Sequence, residues 1–104
     1  MALIEVTDRD FVEKVMRTKV LVLVGFYTDC CCGMTDSVLR ELNRNLGDNV
    51  MIAKLNVDEN PETVSNQEVI SVPTMKLFKE GSLVAMMIGL HAKNDLEKII
   101  KEYM

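Results

Sequence analysis

The hydrophobic patterns along the chain predict an α/β fold, a central mixed β-sheet flanked by α-helices on both faces, and three observations carry that reading. Val20 to Tyr27 is β-branched-rich and almost continuously apolar, the pattern of a strand buried on both faces of a sheet. Directly after it, Val38, Leu39, Leu42 and Leu46 recur at helical spacing with Arg40, Glu41 and Arg44 opposite, so an amphipathic helix packs on that sheet. Two further strand-like runs, Thr74 to Lys79 and Ser82 to Ile88, are separated only by Glu80-Gly81. That spacing is a hairpin signal, and it adds antiparallel strands to a sheet whose βαβαβ beginning calls for parallel ones.

The elements follow in order. Leu3 to Val6 reads as a short strand, and Thr7-Asp8 offers N-cap chemistry for a helix with Phe11, Val12, Val15 and Met16 at helical spacing. The strand from Val20 comes next, then the helix after Gly33, which Gly47-Asp48 stops. Val50 to Val57 is a second buried strand, interrupted only by Lys54 and Asn56. Asp58-Glu59-Asn60-Pro61 is turn and helix-start chemistry, with Pro61 where a first helical turn tolerates it, and the short helix should run to about Glu68. After the hairpin, Asp95 to Tyr103 places Leu96, Ile99, Ile100 and Tyr103 on one face and Glu97, Lys98, Lys101 and Glu102 on the other. This last helix should cover the sheet.

Composition bounds the function. A chain of 104 residues, 48% hydrophobic and 27% charged, has the length of one domain, residues 1–104, with a core that needs no staples. A formal net charge of −4, with no Lys/Arg run, argues against nucleic acid or an anionic membrane surface as partner. The first residues lack a basic segment followed by a long apolar one, and the longest apolar run, Val20 to Val24, is too short to span a bilayer, so a cytoplasmic location is expected.

All three cysteines, Cys30, Cys31 and Cys32, stand side by side between the buried strand and the helix. A free Cys used as a small hydrophobe has no reason to cluster. An odd, adjacent set is not a secreted disulfide framework either, and in a reducing compartment such a cluster is more often catalytic or metal-binding. Its position at a helix start, where unpaired N–H groups and the macrodipole favour negative charge, suits thiolate chemistry.

Taken together, Thr7-Asp8 with Phe11, the strand feeding a cysteine loop, Val50 to Asp58 followed by Asn60-Pro61, Val72-Pro73-Thr74, Leu77-Phe78-Lys79 with Gly81, and Gly89 resemble the thioredoxin family over nearly the whole chain. The resemblance implies a central sheet flanked by helices and a cis peptide before Pro73 facing the cysteine loop. It also implies a substrate-binding turn at Val72, Pro73 and Thr74, and thiol–disulfide exchange with protein substrates.

The chain departs from the family's usual Trp-Cys-Gly-Pro-Cys, reading Cys30-Cys31-Cys32-Gly33-Met34 instead. Counting forward from the strand puts Cys31 at the family's nucleophile position and Met34 at its resolving position; counting backward from Pro73 puts Asp29 and Cys32 there. The standard C-x-x-C pair is absent in either register, leaving Cys30–Cys31, Cys31–Cys32 or Cys30–Cys32 as possible disulfides, all departing from relaxed geometry and therefore easily reduced. Gly25 stands where many thioredoxins carry a buried acid, and Lys54 matches the lysine that accompanies it. Lys54 is accordingly expected to lack a partner and to snorkel to the surface, and proton transfer to a cysteine to fall to Asp29 or water. His91 reads as a solvated helix-start residue, and Met51, Met75, Met86 and Met87 as core and sheet-edge filling.

Two functions from different classes compete. The favoured one is an enzyme, a protein disulfide oxidoreductase serving electron transport and cell redox homeostasis, acting as a monomer without cofactor on protein disulfides and re-reduced by a separate reductant. The alternative is an iron–sulfur or soft-metal binding module using the same cysteines. Three adjacent residues cannot all converge on one tetrahedral ion, so that reading requires thiolates from two subunits.

Overall fold

Strand β2 (Leu21–Tyr27) is buried along all seven residues and forms the centre of a five-stranded sheet. A computed structural model describes residues 3–29 and 32–104, Cys32 by its backbone. The other strands are β1 (Ile4–Glu5), β3 (Val50–Asn56), β4 (Thr74–Lys79) and β5 (Ser82–Ile88), in the order β1-β3-β2-β4-β5. β1 and β2 both run parallel to β3, while β4 runs antiparallel to β2 and β5 to β4, so the sheet is mixed as expected.

The alternation of the strands sorts their side chains into two cores. On one face Leu21, Leu23, Val50, Ile52, Leu77 and Met87 pack with Leu39, Leu42 and Leu46 of helix α1 (Cys32–Leu46) and with Leu96 and Ile100 of α3 (Lys93–Glu102). On the other, Val22, Val24, Phe26, Ala53, Leu55 and Phe78 meet Val6, which directly follows β1, and Phe11 and Val15 of the first helical segment (residues 11–16), with Val64 of α2 (Pro61–Asn66) against them. Phe11 and Phe78 meet edge to face with ring centroids 6.0 Å apart.

The first helical segment departs from expectation in two ways. Residues 12–16 wind as a π-helix, with the Arg17 N–H donating to the Val12 carbonyl at 2.9 Å, and Val12 is 52% exposed, so only Phe11 and Val15 bury fully there. Thr7-Asp8 does not cap this segment through Asp8. Asp10 accepts from the Thr7 N–H at 2.7 Å, and the Asp8 carboxylate reaches α2 instead, taking the Thr63 N–H at 2.8 Å, the Thr63 hydroxyl at 2.7 Å and the Glu62 N–H at 3.2 Å. Sequence proximity favoured a local cap; the fold brings the unpaired first-turn N–H groups of the distant helix within reach of Asp8.

The hairpin turn has positive φ at both Glu80 (51°) and Gly81 (82°), as a two-residue turn matched to strand twist requires. Gly81 is constrained further, because a Cβ there would lie 2.4 Å from the Met16 carbonyl oxygen.

Candidate active site

Strand pairing gathers the site at one end of the sheet. Phe26 of β2 pairs with Thr74 of β4, and Thr74 with Ile88 of β5. The segment leaving β2 toward α1, the Ser71–Pro73 turn entering β4 and the Gly89–Ala92 loop leaving β5 therefore emerge together. α1 begins at Cys32 with no acidic residue in its first turn, so its N-terminal dipole is not offset there. Cys30, Cys31 and the Cys32 side chain, three of the site residues expected from sequence, lie outside the described residues.

The Val72–Pro73 peptide is cis, as the resemblance implies. Its turn is tied on both sides: the Thr74 hydroxyl donates to the Ser71 carbonyl at 2.6 Å, and the Gly89 N–H donates to the Pro73 carbonyl at 2.8 Å. Gly89 makes this contact at φ 89°, open to glycine without strain. Exposed apolar side chains border the same end, Met34 on α1, Ile70 before the turn and Leu90 after β5. His91 is exposed, with Nε2 3.1 Å from the Ile88 carbonyl oxygen.

Beneath the start of α1 lies a cleft of about 310 Å³ lined by Tyr27, Asp29, Gly33, Thr35, Asp36, Leu39, Arg40 and Lys54. Gly25 and Lys54 are register partners on this face, and the space a side chain at 25 would need is held by Leu39, whose Cδ1 lies 2.8 Å from a Cβ built there. Lys54 is not without a partner. Its ammonium sits 3.1 Å from Asp36 Oδ1 and 5.5 Å above the Tyr27 ring, with the side chain 23% exposed. That corrects the expectation of a snorkelling lysine: helix packing delivers a carboxylate that the strands lack. Arg40, one turn further along α1, donates to Asp36 Oδ2 at 2.6 Å.

The bond from Arg40 holds the Asp36 carboxyl below the usual carboxylate range, and the Lys54 ammonium adds to it against a smaller effect of burial. Tyr27 is pushed well above the ordinary phenol value by burial and by donating its hydroxyl to Glu5 Oε2 at 2.7 Å, so it stays neutral. Asp29, expected from sequence as a proton carrier, accepts from Asn56 Nδ2 at 2.8 Å and also lines the cleft. Thr35 is 1% exposed, and its hydroxyl oxygen has no hydrogen-bond partner among the described residues.

The family model for thioredoxin matches residues 2–102. The chain belongs to the thioredoxin family. Among curated relatives it is 40% identical over 93 residues to thioredoxin of Rickettsia bellii, covering 88% of this chain and 89% of that protein. It is 37% identical over 101 residues to thioredoxin of Listeria monocytogenes, covering 95% and 96%, and 38% identical over 106 to thioredoxin of Staphylococcus aureus, covering all of both. The mixed sheet with helices on both faces is the thioredoxin fold.

Asp36 and Arg40 are the site residues that sequence reading passed over. The signal was present as an acid and a base at i, i+4, but such a pair reads as an ordinary solvated helix face. Only the packing of α1 over Gly25 turns that face toward Lys54.

Proposed function

We propose that this chain is a protein thiol–disulfide oxidoreductase whose active thiols are Cys30, Cys31 and Cys32 and whose substrate turn is Val72, Pro73 and Thr74. Membership of the thioredoxin family supports the reaction class. The observation that supports the site is the register Phe26–Thr74, which brings the end of β2 and the cis-Pro73 turn to the same end of the sheet. A thiolate at the start of α1, favoured by the helix dipole, attacks one sulfur of a substrate disulfide, forming a mixed disulfide and releasing the other sulfur as a thiolate. A neighbouring cysteine loses its proton and attacks the mixed disulfide, so the substrate leaves as a dithiol and the enzyme is left oxidised. A separate dithiol reductant returns it. An extended substrate segment docks along the Pro73 turn by strand addition, flanked by Ile70 and Leu90.

Cys31 is the attacking thiol in this reading, because the strand register from Val24 through Tyr27 is short and rigid. The enzyme works as a cytoplasmic monomer without a resident metal, since three consecutive thiols cannot converge on one tetrahedral ion. Among the described residues no helix is long and apolar enough to cross a membrane.

Single Cys→Ser variants in a protein-disulfide reduction assay, with limiting alkylation read by peptide mass, test the proposal. Cys31→Ser should abolish turnover and Cys31 should label first. Activity retained in Cys31→Ser and lost in Cys30→Ser redraws the pair as C-x-C. Protein purified without oxygen that carries stoichiometric iron or another soft metal, lost on mutating Cys30 or Cys32, overturns the metal-free reading.

A further inference from the structure

Lys76 is a cation in the interior of the sheet that thiol–disulfide exchange leaves unused. It stands on β4 between Val24 and Met86 and is 4% exposed. A buried ammonium is costly unless it finds acceptors, and an apolar side chain would fill the same position without that cost. Its Nζ donates to the carbonyl of Gln67, the C-cap of α2. The residues beyond Gln67 close the helix as a Schellman motif: the Glu68 N–H donates to the Ser65 carbonyl at 3.2 Å and the Val69 N–H to the Val64 carbonyl at 3.0 Å, with Glu68 at φ 54°. That conformation favours glycine, so a glutamate there needs the surrounding structure to hold it. Thr74, two residues before Lys76 on the same strand, leaves the same face, and its hydroxyl donates to the Ser71 carbonyl at 2.6 Å. Two side chains of β4 thus fasten the 67–71 arch at both ends. Between the fastenings Val69 packs against the core, while Ile70, 89% exposed, stands outward three residues before the cis-Pro73.

We infer that Lys76 is a positioning residue for substrate binding: by holding the Gln67 carbonyl it fixes the 67–71 arch on β4 and so keeps Ile70 in place as an apolar contact for a protein substrate at the Pro73 turn. The inference rests on the oxidoreductase reading and narrows its substrate class to proteins that present an apolar side chain near the disulfide. It also accounts for a cation where the sheet would be more stable without one, because a segment that must be held still beside a binding turn is a place where stability and function diverge. Lys76 acts through the arch and touches no reacting atom. Its loss therefore falls on substrate binding and spares the chemical step.

The test uses Lys76→Met in the full chain, with Lys79→Met as a control that removes the same charge from an exposed position on the same strand. With a protein disulfide as substrate, Lys76→Met should raise KM at least about fivefold and hold kcat within about twofold of wild type. Urea denaturation at pH 7 should find the same variant no less stable than wild type, and Lys79→Met should leave KM where it was. Amide exchange at Glu68 and Val69 should quicken at least about tenfold in Lys76→Met as the arch loosens. Ile70→Ser, a surface change that leaves the fold intact, should raise KM by itself and add little to Lys76→Met, because both act through one contact. A KM within about twofold of wild type in Lys76→Met, or KM effects of the two substitutions that simply multiply, overturns the proposal. A loss of stability that lowers kcat along with binding marks a merely structural lysine and overturns it too. If wild type reduces no protein disulfide, the oxidoreductase reading fails, and amide exchange unmoved in Lys76→Met then overturns the anchoring of the arch as well.

Discussion

Replacing Asp8 by alanine should weaken the protein far more than its half-exposed surface position suggests. The helix whose first turn it serves, α2, is six residues long, and its own N-cap, Asn60, makes no side-chain cap bond. Asn60 is occupied elsewhere, donating to the Asn56 carbonyl at 2.8 Å and accepting from the Asp8 N–H at 2.8 Å. The orphan N–H groups of Glu62 and Thr63 therefore depend on a carboxylate more than fifty positions earlier in the chain. Loss of a cap costs about 1 kcal/mol. The Thr63 hydroxyl, on a residue 5% exposed, loses its acceptor at 2.7 Å, which adds about 1 kcal/mol more. A total of about 2 kcal/mol corresponds to a fall in Tm of about 10 °C for a domain of this size. Asp8→Asn keeps one acceptor oxygen and should cost less than half as much. Burial pushes the Asp8 carboxyl up, but the bonds from Thr63 and Glu62 outweigh it and leave the group below its ordinary value. Its contribution is thus complete above the unfolded pKa of 3.8 and is lost as pH falls through the lower folded value, so both variants should lose less stability than wild type on acidification. Urea denaturation at pH 7 and at pH 3 measures both effects. Asp8→Ala within 0.5 kcal/mol of wild type, an ordinary surface change, would refute the reasoning.

Gly81→Ala places a Cβ 2.4 Å from the Met16 carbonyl oxygen at φ 82°, so a loss of about 2 kcal/mol or more is expected in chemical denaturation, against near neutrality if the hairpin can swing away. Lys76, 4% exposed between Val24 and Met86 in the sheet, donates to the Gln67 carbonyl, and burial holds its ammonium below the usual lysine value, with Glu68 opposing. Stability from this group rises with pH from that lowered value up to 10.5, because the unfolded chain keeps a proton the folded one has released. Lys76→Met should therefore gain most on wild type near neutral pH and progressively less toward pH 10.5, a trend that parallel urea titrations would show or refute.

What could be read from the residues alone rests on periodicity and on the chemistry of turns. Leu21 to Phe26 could only be an interior strand because every position is apolar, and the Leu39, Leu42 and Leu46 stripe could only be a helix against it. Glu80-Gly81 named the hairpin, and Val72-Pro73-Thr74 with the cysteine run named the family. These signals are local, a few residues long, and survive without knowledge of what packs across them.

The cleft is different in kind. Asp36, Arg40 and Lys54 are eighteen or fewer positions apart along the chain, yet no periodic rule joins a helix acid to a strand lysine. The contact exists because Gly25 lets Leu39 settle onto β2, and that settling turns the acid's face of α1 toward β3. The same holds for Asp8, expected to cap the helix that follows it and found instead on the first turn of α2. Residue type and spacing determined the sheet and its strands. Which charges meet beneath the start of α1 was decided by tertiary packing, because the free energy of a long-range ion pair or cap is set by burial and approach distance, and neither is written in sequence separation.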